Sequence, residues 1–463
     1  MIRYFRINDP YRLVGLLAIL IVIYLPYFIG DQVLTIPELK SIIIGEKVHD
    51  GFAPYSQLID STPPFTVWIN AFLDMLFGRS LLARHIAAFF VIFSQSVYLG
   101  IMFIDKKAFT ENTFLPSVIF SILIFFSFDT LTLSGELYGA GFLLVALNYL
   151  FKEIEFRIQS DEIVFNLGLF ISLASLCSFA NSVYLLAALG ILAFYSRSSP
   201  RKYMLLVFGF LLPHMVVCSL YFLSGNLGAL WSYYYQPNFG FQASSLISLK
   251  GLFVLGAIPL FYLIVSVVIL NREARFSKYQ SQLLQAMFLW LMSSFPLIFF
   301  APDLRPQNLI VLIPSFAFFI THLLLLIRRK RFAEINLWVL LIGVVLISYL
   351  SRYGKLSSVD YSQLIVKQRP VTSPKKVLML GNDIAIYQSN ELGTGFFNWS
   401  LSKEIFERPD YYENVITVSN FFKEDPPDII IDKDNLMMEY FNRIPELKKQ
   451  YSKDSGNTYS RNR

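Results

Sequence analysis

Apolar runs of about 20 residues recur along the whole chain, and they constrain its fold more than any other feature. The first of them extends from Leu13 to Ile29. A helical run of that length spans the ~30 Å hydrocarbon core of a bilayer. Of the 463 residues, 55% are hydrophobic and only 16% are charged. The sequence therefore predicts an all-α polytopic membrane protein.

Basic residues between the apolar runs predict its orientation. Arg3, Arg6 and Arg12 precede the first run, and the positive-inside rule then places the N-terminus in the cytoplasm. An even number of crossings between successive basic clusters predicts eleven spans, with the C-terminus outside. The stretch 164–196 would be ~50 Å long as a single helix, so we expect two short spans with a hinge at 178–182.

The loop between the first two predicted spans, residues 30–82, contains most of the membrane-proximal acidic residues outside the tail. Its carboxylates are Asp31, Glu38, Glu46, Asp50, Asp60 and Asp74. Charges beside a bilayer are costly unless they are solvated or paired, so the cluster indicates a functional site. Within this loop, the apolar stretch 64–77 is too short to span, and we expect a helix that lies in the outer membrane interface.

The tail, residues 352–463, differs in character from the rest of the chain. The runs Val377 to Leu380 and Asp428 to Asp432 have the pattern of short buried strands, and helix-like stretches such as Asn435 to Arg443 accompany them. We therefore predict a small extracytoplasmic α/β domain that follows a transmembrane domain of residues 1–351, to which the first loop belongs.

Motifs familiar from soluble enzymes are absent from the sequence, which has no Walker loop, no HExxH and no GxSxG. The four histidines are scattered without ligand spacing, and both cysteines lie in apolar segments. We expect no cofactor, and no motif supports a divalent metal. Because the basic residues are dispersed among membrane loops, no nucleic-acid partner is expected; the lipid bilayer is the expected surrounding.

Polar residues in the predicted outer loops form the candidate site. They are Glu38, Tyr55 and Asp60 in the first loop, Glu136 in the second and Arg305 in the last. A carboxylate can take a proton from an attacking hydroxyl, and an arginine can neutralise a leaving phosphate. The set therefore favours chemistry on a lipid-linked phosphate.

Structural roles that involve no chemistry remain alternatives for several of these residues. A helix dipole also favours a carboxylate at Glu136, and Arg305 has the character of a side chain that reaches to lipid headgroups. Trp231 belongs either to an interfacial aromatic belt or to a groove for an acceptor sugar. Glu46 and Asp74 are interpreted as solvated helix faces.

The segment from Pro37 to Ala87 resembles the first periplasmic loop of the GT-C membrane glycosyltransferases, in particular the protein mannosyltransferase and lipid A aminoarabinose transferase group. The matching elements are Pro63-Pro64-Phe65, Phe77-Gly78 and Arg84, and Glu38 aligns with the Glu of the family's acidic pair. Farther along, Ser134-Gly135-Glu136 and the run from Arg305 to Pro314 are similar to later family motifs. Where the family has an Asp before the Glu, this chain has Pro37.

The resemblance implies an inverting glycosyltransferase that moves a sugar from a polyprenyl-phosphate donor to an envelope lipid, glycan or protein. The reaction would occur at the outer face of the cytoplasmic (inner) membrane. The catalytic candidates are Glu38, Glu136 and Asp60, and the substrate-binding candidates are Arg305, Tyr55, Arg84 and Trp231.

Two other function classes are considered. Because Pro37 replaces the family's Asp, the alternative to an enzyme is a catalytically inactive GT-C-fold subunit of an envelope assembly or modification complex. A lipid or polymer transporter is less favoured, since the predicted spans carry almost no ionisable residues.

Overall fold

The computed structural model is mainly helical and describes most of the chain. The described residues are 1–30, 32–155, 160–195, 199–240, 244–273, 276–300, 303–367, 374–454 and 457–462. Asp31, one of the acidic residues of the first loop, lies outside them. The chain divides into two compact units. Unit 1 comprises Met1–Gln32, Ser80–Val217 and Gly240–Leu364, and unit 2 comprises Val33–Arg79, Cys218–Phe239 and Ile365–Arg463.

Long apolar helices make up most of unit 1. Seven helices of the described residues are long and apolar enough to cross a membrane: Arg12–Ile29, Leu81–Asp105, Gly135–Ile154, Pro200–Leu223, Lys278–Phe299, Pro306–Leu326 and Lys330–Arg352. The pair Leu249–Leu255 and Ala257–Arg272 passes the same criterion as one span bent by 66°. The count of eleven spans stays a prediction.

Shorter elements complete unit 1. They are the helices Ile2–Phe5, Leu115–Leu123, Asp161–Cys177, Val183–Tyr195 and Leu297–Phe300, the 3-10 turns Ile124–Phe126, Phe128–Leu131 and Phe179–Ser182, and the strands β1 (Ser244–Ser245) and β2 (Asp303–Leu304). Strands β1 and β2 pair in parallel. The stretch 164–196 is interrupted by the turn Phe179–Ser182, which agrees with the predicted hinge.

Unit 2 combines helices with a five-stranded sheet. Its helices are Ile36–His49, Pro64–Phe77, Leu227–Leu230, Gln236–Asn238, Trp399–Glu407, Tyr412–Glu424, Met437–Arg443 and Pro445–Gln450, with a π-helix at Trp231–Tyr235 and a 3-10 turn at Ile384–Gln388. The strands are β3 (Lys376–Leu380), β4 (Glu391–Leu392), β5 (Ile429–Asp432), β6 (Tyr451–Lys453) and β7 (Thr458–Arg461). Their order is β4-β3-β5-β7-β6, parallel across β4, β3 and β5 and antiparallel at β7. Both predicted strands are present as β3 and β5.

The first loop and the tail share one core within unit 2. Leu39 and Ile43 of the loop pack in one cluster with Val377 and Met379 of the tail, and the backbone N–H of Ile59 donates to the tail at a distance of 2.8 Å. Such shared burial is the main stabilising term in folding. The loop is thus part of the same compact unit as the tail, whereas the predicted domain boundary at residue 351 separates the two.

The helix Pro64–Phe77 has the predicted bounds. Pro63 and Pro64 lie at its first turn, where a missing N–H costs nothing and the fixed φ favours a helix start. The side chains of Trp68, Phe72 and Met75 are exposed on this helix. An apolar exposed face suits a position in the membrane interface, which stays a prediction.

Candidate active site

Glu136 lies in the first turn of the helix Gly135–Ile154 in unit 1. The hydroxyl of Ser134 caps this helix by accepting a hydrogen bond from the N–H of Leu137 at 3.2 Å. The cap fixes where the helix begins. It therefore also fixes the position of Glu136, whose carboxylate benefits from the positive end of the helix dipole.

Arg305 and Glu136 form an ion pair in unit 1. The Nη2 of Arg305 donates to Oε2 of Glu136 at 2.7 Å, and the two side chains are only 11% and 14% exposed. Arg305 itself stands between strand β2 and the helical turn that starts at Pro306, and the amide oxygen of Asn308 accepts from its backbone N–H at 2.8 Å. Two of the predicted site residues are thus in direct contact.

The electrostatic surroundings keep the Arg305 guanidinium charged. Burial lowers the pKa of Arg305, but the nearby carboxylate of Glu136 raises it, and the net pKa lies above its ordinary value. Asp129 and Asp303 contribute to the same rise. The guanidinium is thus held as a cation by its carboxylate neighbours, and a guanidinium can also donate hydrogen bonds to a phosphate.

Asp129 and Gln307 belong to this region and were not predicted from the sequence. The backbone N–H of Gln307 donates to Oδ2 of Asp129 at 3.1 Å, and its side-chain amide donates to the carbonyl of Thr132 at 3.0 Å. Asp129 is fully buried. An acidic residue at the end of an apolar stretch, close before Glu136, was the sequence signal that could have identified it.

Arg84 lies near the start of the helix Leu81–Asp105, as the resemblance implies. Ser80 caps this helix, accepting from the N–H of Ala83 at 3.4 Å. The Arg84 side chain is buried within unit 1. Its predicted role in binding substrate stays a prediction.

Glu38 lies in the first turn of the helix Ile36–His49 in unit 2. Thr35 caps the helix, and its hydroxyl accepts from the backbone N–H of Glu38 at 3.3 Å. Pro37 occupies a first-turn position, where helices accept proline. The residue that departs from the family pattern therefore serves as a helix-start residue here. The Glu38 side chain is 4% exposed.

Asp60 is buried in unit 2 and is surrounded by donors. Lys40 Nζ lies 2.8 Å from its Oδ1, and the N–H of Thr62 donates to its Oδ2 at 2.8 Å. The amide of Asn398 donates to Oδ1 at 3.3 Å. Burial raises the pKa of Asp60, but the charge and hydrogen bond of Lys40 and the Thr62 donors outweigh it, so the pKa lies below its usual value.

Tyr55 is buried in unit 2, and its hydroxyl donates to the carbonyl of Thr62 at 2.6 Å. Its backbone adopts a positive φ of 67°, a conformation that costs a non-glycine residue on the order of 1–2 kcal/mol. Its ring lies 5.6 Å from that of Tyr221 and 5.9 Å from that of Tyr234. These contacts hold the loop beside Asp60. Trp231 is 57% exposed, and its ring lies 5.7 Å from that of Tyr235.

The interpretation of Glu46 and Asp74 as solvated helix faces is wrong for Asp74, which is buried, whereas the Glu46 side chain is paired but still 26% exposed. Arg79 donates to Glu46 at 2.6 Å, and Asp74 is only 9% exposed and lies 2.9 Å from Nδ1 of His49. Both acids are paired because their helices, Ile36–His49 and Pro64–Phe77, pack against each other within unit 2. A sequence does not show that packing.

The predicted site residues are distributed over both units. Unit 1 holds Glu136, Arg305 and Arg84, and unit 2 holds Glu38, Asp60, Tyr55 and Trp231. Their convergence on one cavity stays a prediction. Across the described part of the chain, no three His, Cys, Asp or Glu residues are grouped so that they could bind a metal ion.

Comparisons with known proteins identify the fold. No protein-family model matches the sequence, and no curated protein matches it. The structure of ArnT from Cupriavidus metallidurans bound to undecaprenyl phosphate aligns with a TM-score of 0.51 at 11% identity, over 74% of this chain and 63% of ArnT. The archaeal oligosaccharyltransferase AglB from Archaeoglobus fulgidus, in complex with an inhibitory peptide and a dolichol-phosphate, aligns with a TM-score of 0.46 at 10% identity, over 98% of this chain and 74% of AglB.

The chain thus spans less than two thirds of the length of ArnT. The ArnT alignment extends over 74% of the present chain. At 11% identity, it is the path of the backbone that the two proteins share. The resemblance is therefore supported at the level of the fold: this mainly helical chain shares the fold of ArnT.

Proposed function

We propose that this protein is an integral-membrane glycosyltransferase that moves a sugar from a polyprenyl-phosphate donor to an envelope acceptor. The observation that carries the proposal is the buried pair of Arg305 and Glu136, 2.7 Å apart, in a chain with the GT-C fold. ArnT, which shares the fold, was solved with undecaprenyl phosphate bound. A lipid-linked phosphate is the anion that such an arginine would neutralise.

The chemistry is a single displacement at the anomeric carbon. An acceptor hydroxyl forms the new glycosidic bond while the bond to the phosphate oxygen breaks, and the hydroxyl proton passes to a carboxylate. The polyprenyl phosphate leaves with the bonding electron pair, and Arg305 stabilises its charge. Because the nucleophile attacks opposite the leaving group, the configuration at the anomeric carbon inverts.

Glu38 is the proposed base. General bases work best when their pKa lies near the operating pH. The Asp60 carboxylate is unsuited, since its contacts with Lys40 and Thr62 hold its pKa below the usual range. Glu38 is buried in the first turn of the helix Ile36–His49, and it is the residue that aligns with the Glu of the acidic pair in the resembled family.

The outer face of the cytoplasmic membrane is the proposed location of the reaction. The three segments of unit 2 contact one another: Asn238 donates to the carbonyl of Ser61 at 2.9 Å, and Ile59 donates to Gly395 at 2.8 Å. Segments that form one core must lie on one side of a bilayer. With Arg3 and its neighbours in the cytoplasm, the positive-inside rule puts that side outside.

Mass spectrometry of lipid-linked sugars and of envelope glycans, lipids and proteins tests the function. Deleting the gene should cause one polyprenyl-phosphate sugar to accumulate and one envelope modification to disappear. The wild-type gene should restore both, whereas Glu38→Gln and Arg305→Lys should not, at equal protein abundance. The matched controls Glu407→Gln and Arg408→Lys change exposed side chains of the tail and should restore fully.

The opposite outcome identifies the inactive-subunit alternative. If deletion alters the envelope but Glu38→Gln and Arg305→Lys both restore it, the protein acts without these groups and the catalytic assignment fails. If deletion changes neither lipid-linked sugars nor envelope modifications, the glycosyltransferase proposal itself fails.

A further inference from the structure

Asn398 stands at the N-terminal cap of the helix Trp399–Glu407, but its side chain does not cap that helix. Asparagine is among the most favoured cap residues, since its side-chain oxygen normally accepts from an N–H of the first turn at a gain of about 1 kcal/mol. The polar atoms of a partly buried amide need hydrogen-bond partners elsewhere when they do not cap the helix. The place where its amide binds is therefore informative.

The Asn398 amide faces the first loop. Its Nδ2 donates to Oδ1 of Asp60 at 3.3 Å and lies 3.5 Å from Oγ of Ser61. Its Oδ1 accepts from the hydroxyl of Ser400 at 2.7 Å. The contact with Asp60 determines the orientation of the amide, because an ionised carboxylate only accepts hydrogen bonds and the NH2 group must therefore face it.

Backbone hydrogen bonds hold Asn398 and Asp60 in register. The N–H of Ile59 donates to the carbonyl of Gly395 at 2.8 Å, and the N–H of Asn398 donates to the carbonyl of Ile59 at 3.1 Å. The tail is thus hydrogen-bonded to the backbone of the loop at Ile59, the residue directly before Asp60. Lys40 contacts the same Oδ1 that Asn398 contacts.

We propose that Asn398 is a positioning residue that orients the Asp60 carboxylate toward Lys40 and so shapes the loop that carries Glu38. The inference rests on the proposed function, because it makes the tail a working part of the candidate site. A buried carboxylate with one oxygen held by Thr62 and the other by Asn398 presents a fixed partner to Lys40. Without the amide, Asp60 can rotate and the Lys40 ammonium loses its fixed position.

Variants that keep a favoured residue type at the N-cap position separate this role from a structural one. Serine and aspartate are good cap residues, so a residue that merely begins the helix would tolerate Asn398→Ser and Asn398→Asp. Serine is too short to reach Asp60, and aspartate places a second negative charge beside it. We expect both variants to accumulate normally but to restore the envelope modification of the deletion strain roughly tenfold to a hundredfold more slowly than wild type.

A second measurement does not depend on sugar transfer. The purified full-length protein is treated with N-hydroxysuccinimide acetate, and the acetylation rates of Lys40 and Lys403 are read by mass spectrometry. Lys403 lies on the helix that follows Asn398 and is 54% exposed, so it reports whether that helix is intact. In Asn398→Ser, Lys40 should react about twofold to fivefold faster, as expected when an ion pair loosens, while Lys403 reacts as in wild type.

The outcomes are distinguishable. Wild-type rates at Lys40 in both variants overturn the proposal. Faster acetylation at Lys403 as well as Lys40 also overturns it, because the helix itself would then have changed. If the wild-type gene proves to have no effect on lipid-linked sugars, the proposed function fails, and the Lys40 rate still decides whether Asn398 orients Asp60.

Discussion

Arg305 and Glu136 form a buried ion pair although 169 residues separate them in the sequence. Removing one partner of such a pair costs about 3–5 kcal/mol because the other charge stays buried, whereas replacing both by apolar groups is often neutral. We therefore predict that Arg305→Met with Glu136→Leu leaves thermal stability within about 1 kcal/mol of wild type. The same double variant should lose sugar transfer, as measured by accumulation of the lipid-linked sugar.

The single variant Arg305→Lys is the complementary test. Lysine keeps the charge but lacks the planar fork that contacts phosphate through two parallel hydrogen bonds. We expect transfer on the order of 10²-fold lower at near-normal stability. Full sugar transfer by the double variant Arg305→Met with Glu136→Leu would show that this ion pair only joins two elements of unit 1.

Glu38→Gln is predicted to lower transfer roughly 10²- to 10⁴-fold, the range that general base catalysis supplies. Glutamine has the shape of glutamate but cannot accept the proton, so protein abundance and melting temperature should stay close to wild type. The control is Glu407→Gln, at an exposed helix position of the tail. Equal activity of these two variants would exclude Glu38 as the base.

The membrane helices and the strands β3 and β5 were predictable because their signals are local. An apolar run of about 20 residues, or a short apolar run bounded by turn residues, is visible in a local window of the sequence. The helix Pro64–Phe77 was predicted with its bounds because two prolines at its start and Gly78 at its end mark them.

The contacts of the candidate site were not predictable in the same way. Lys47 and Asp425 lie 378 residues apart, and no local pattern indicates that they meet. Asp129 directly follows an apolar stretch, and the sequence does not show where the helix in that stretch ends. In the structure the α-helix ends at Leu123 and is followed by 3-10 turns, and Asp129 is buried in the second of them.

Gly395 is predicted to be essential for joining the tail to the first loop. A Cβ at this position would meet the carbonyl oxygen of Gln57 at 1.7 Å, and backbone cannot yield as a flexible side chain does. Gly395→Ala should therefore destabilise unit 2 by about 1–3 kcal/mol or more. Gly228→Ala is the matched control, because that helical glycine has open space around it and alanine there should be neutral or slightly stabilising. Limited proteolysis of the tail measures both, and equal resistance would contradict the prediction.

Single cysteines are predicted to locate the first loop and the tail on the same face of the membrane. In a chain whose two native cysteines are replaced by serine, cysteines at the exposed positions Asp50 and Lys403 should react with a membrane-impermeant maleimide in intact spheroplasts. A cysteine at Lys330, the first residue of the last long helix, should react only after permeabilisation. If the cysteines introduced at Asp50 and Lys403 were labelled from opposite faces of the membrane, the shared core of unit 2 would be contradicted.

Asp425 makes the stability of unit 2 depend on pH. It pairs with two lysines that differ in how exposed they are. It lies 2.5 Å from Lys47 and 2.7 Å from Lys376, whose side chains are 6% and 45% exposed. Burial raises the pKa of Asp425, but the hydrogen bonds and charges of the two lysines outweigh it, so the pKa lies below its usual value of 3.8. The unfolded chain therefore takes up this proton at a higher pH than the folded chain does. The stabilisation is fully present above pH 3.8 and is lost as the pH falls from there through the folded-state pKa.

Asp425→Asn should cost about 3–5 kcal/mol at neutral pH, because it leaves the buried Lys47 ammonium without its counter-charge. Lys376→Met should cost no more than about 1 kcal/mol, since the exposed partner of an ion pair contributes little. Urea unfolding of the protein in nanodiscs, followed by proteolysis of the tail, measures the difference. The Asn variant should also lose its share of the acid-dependent decline in stability below pH 3.8, because it has no carboxyl group to protonate. If the two variants were destabilised equally, a group other than Asp425 would be neutralising the charge of the buried Lys47 ammonium.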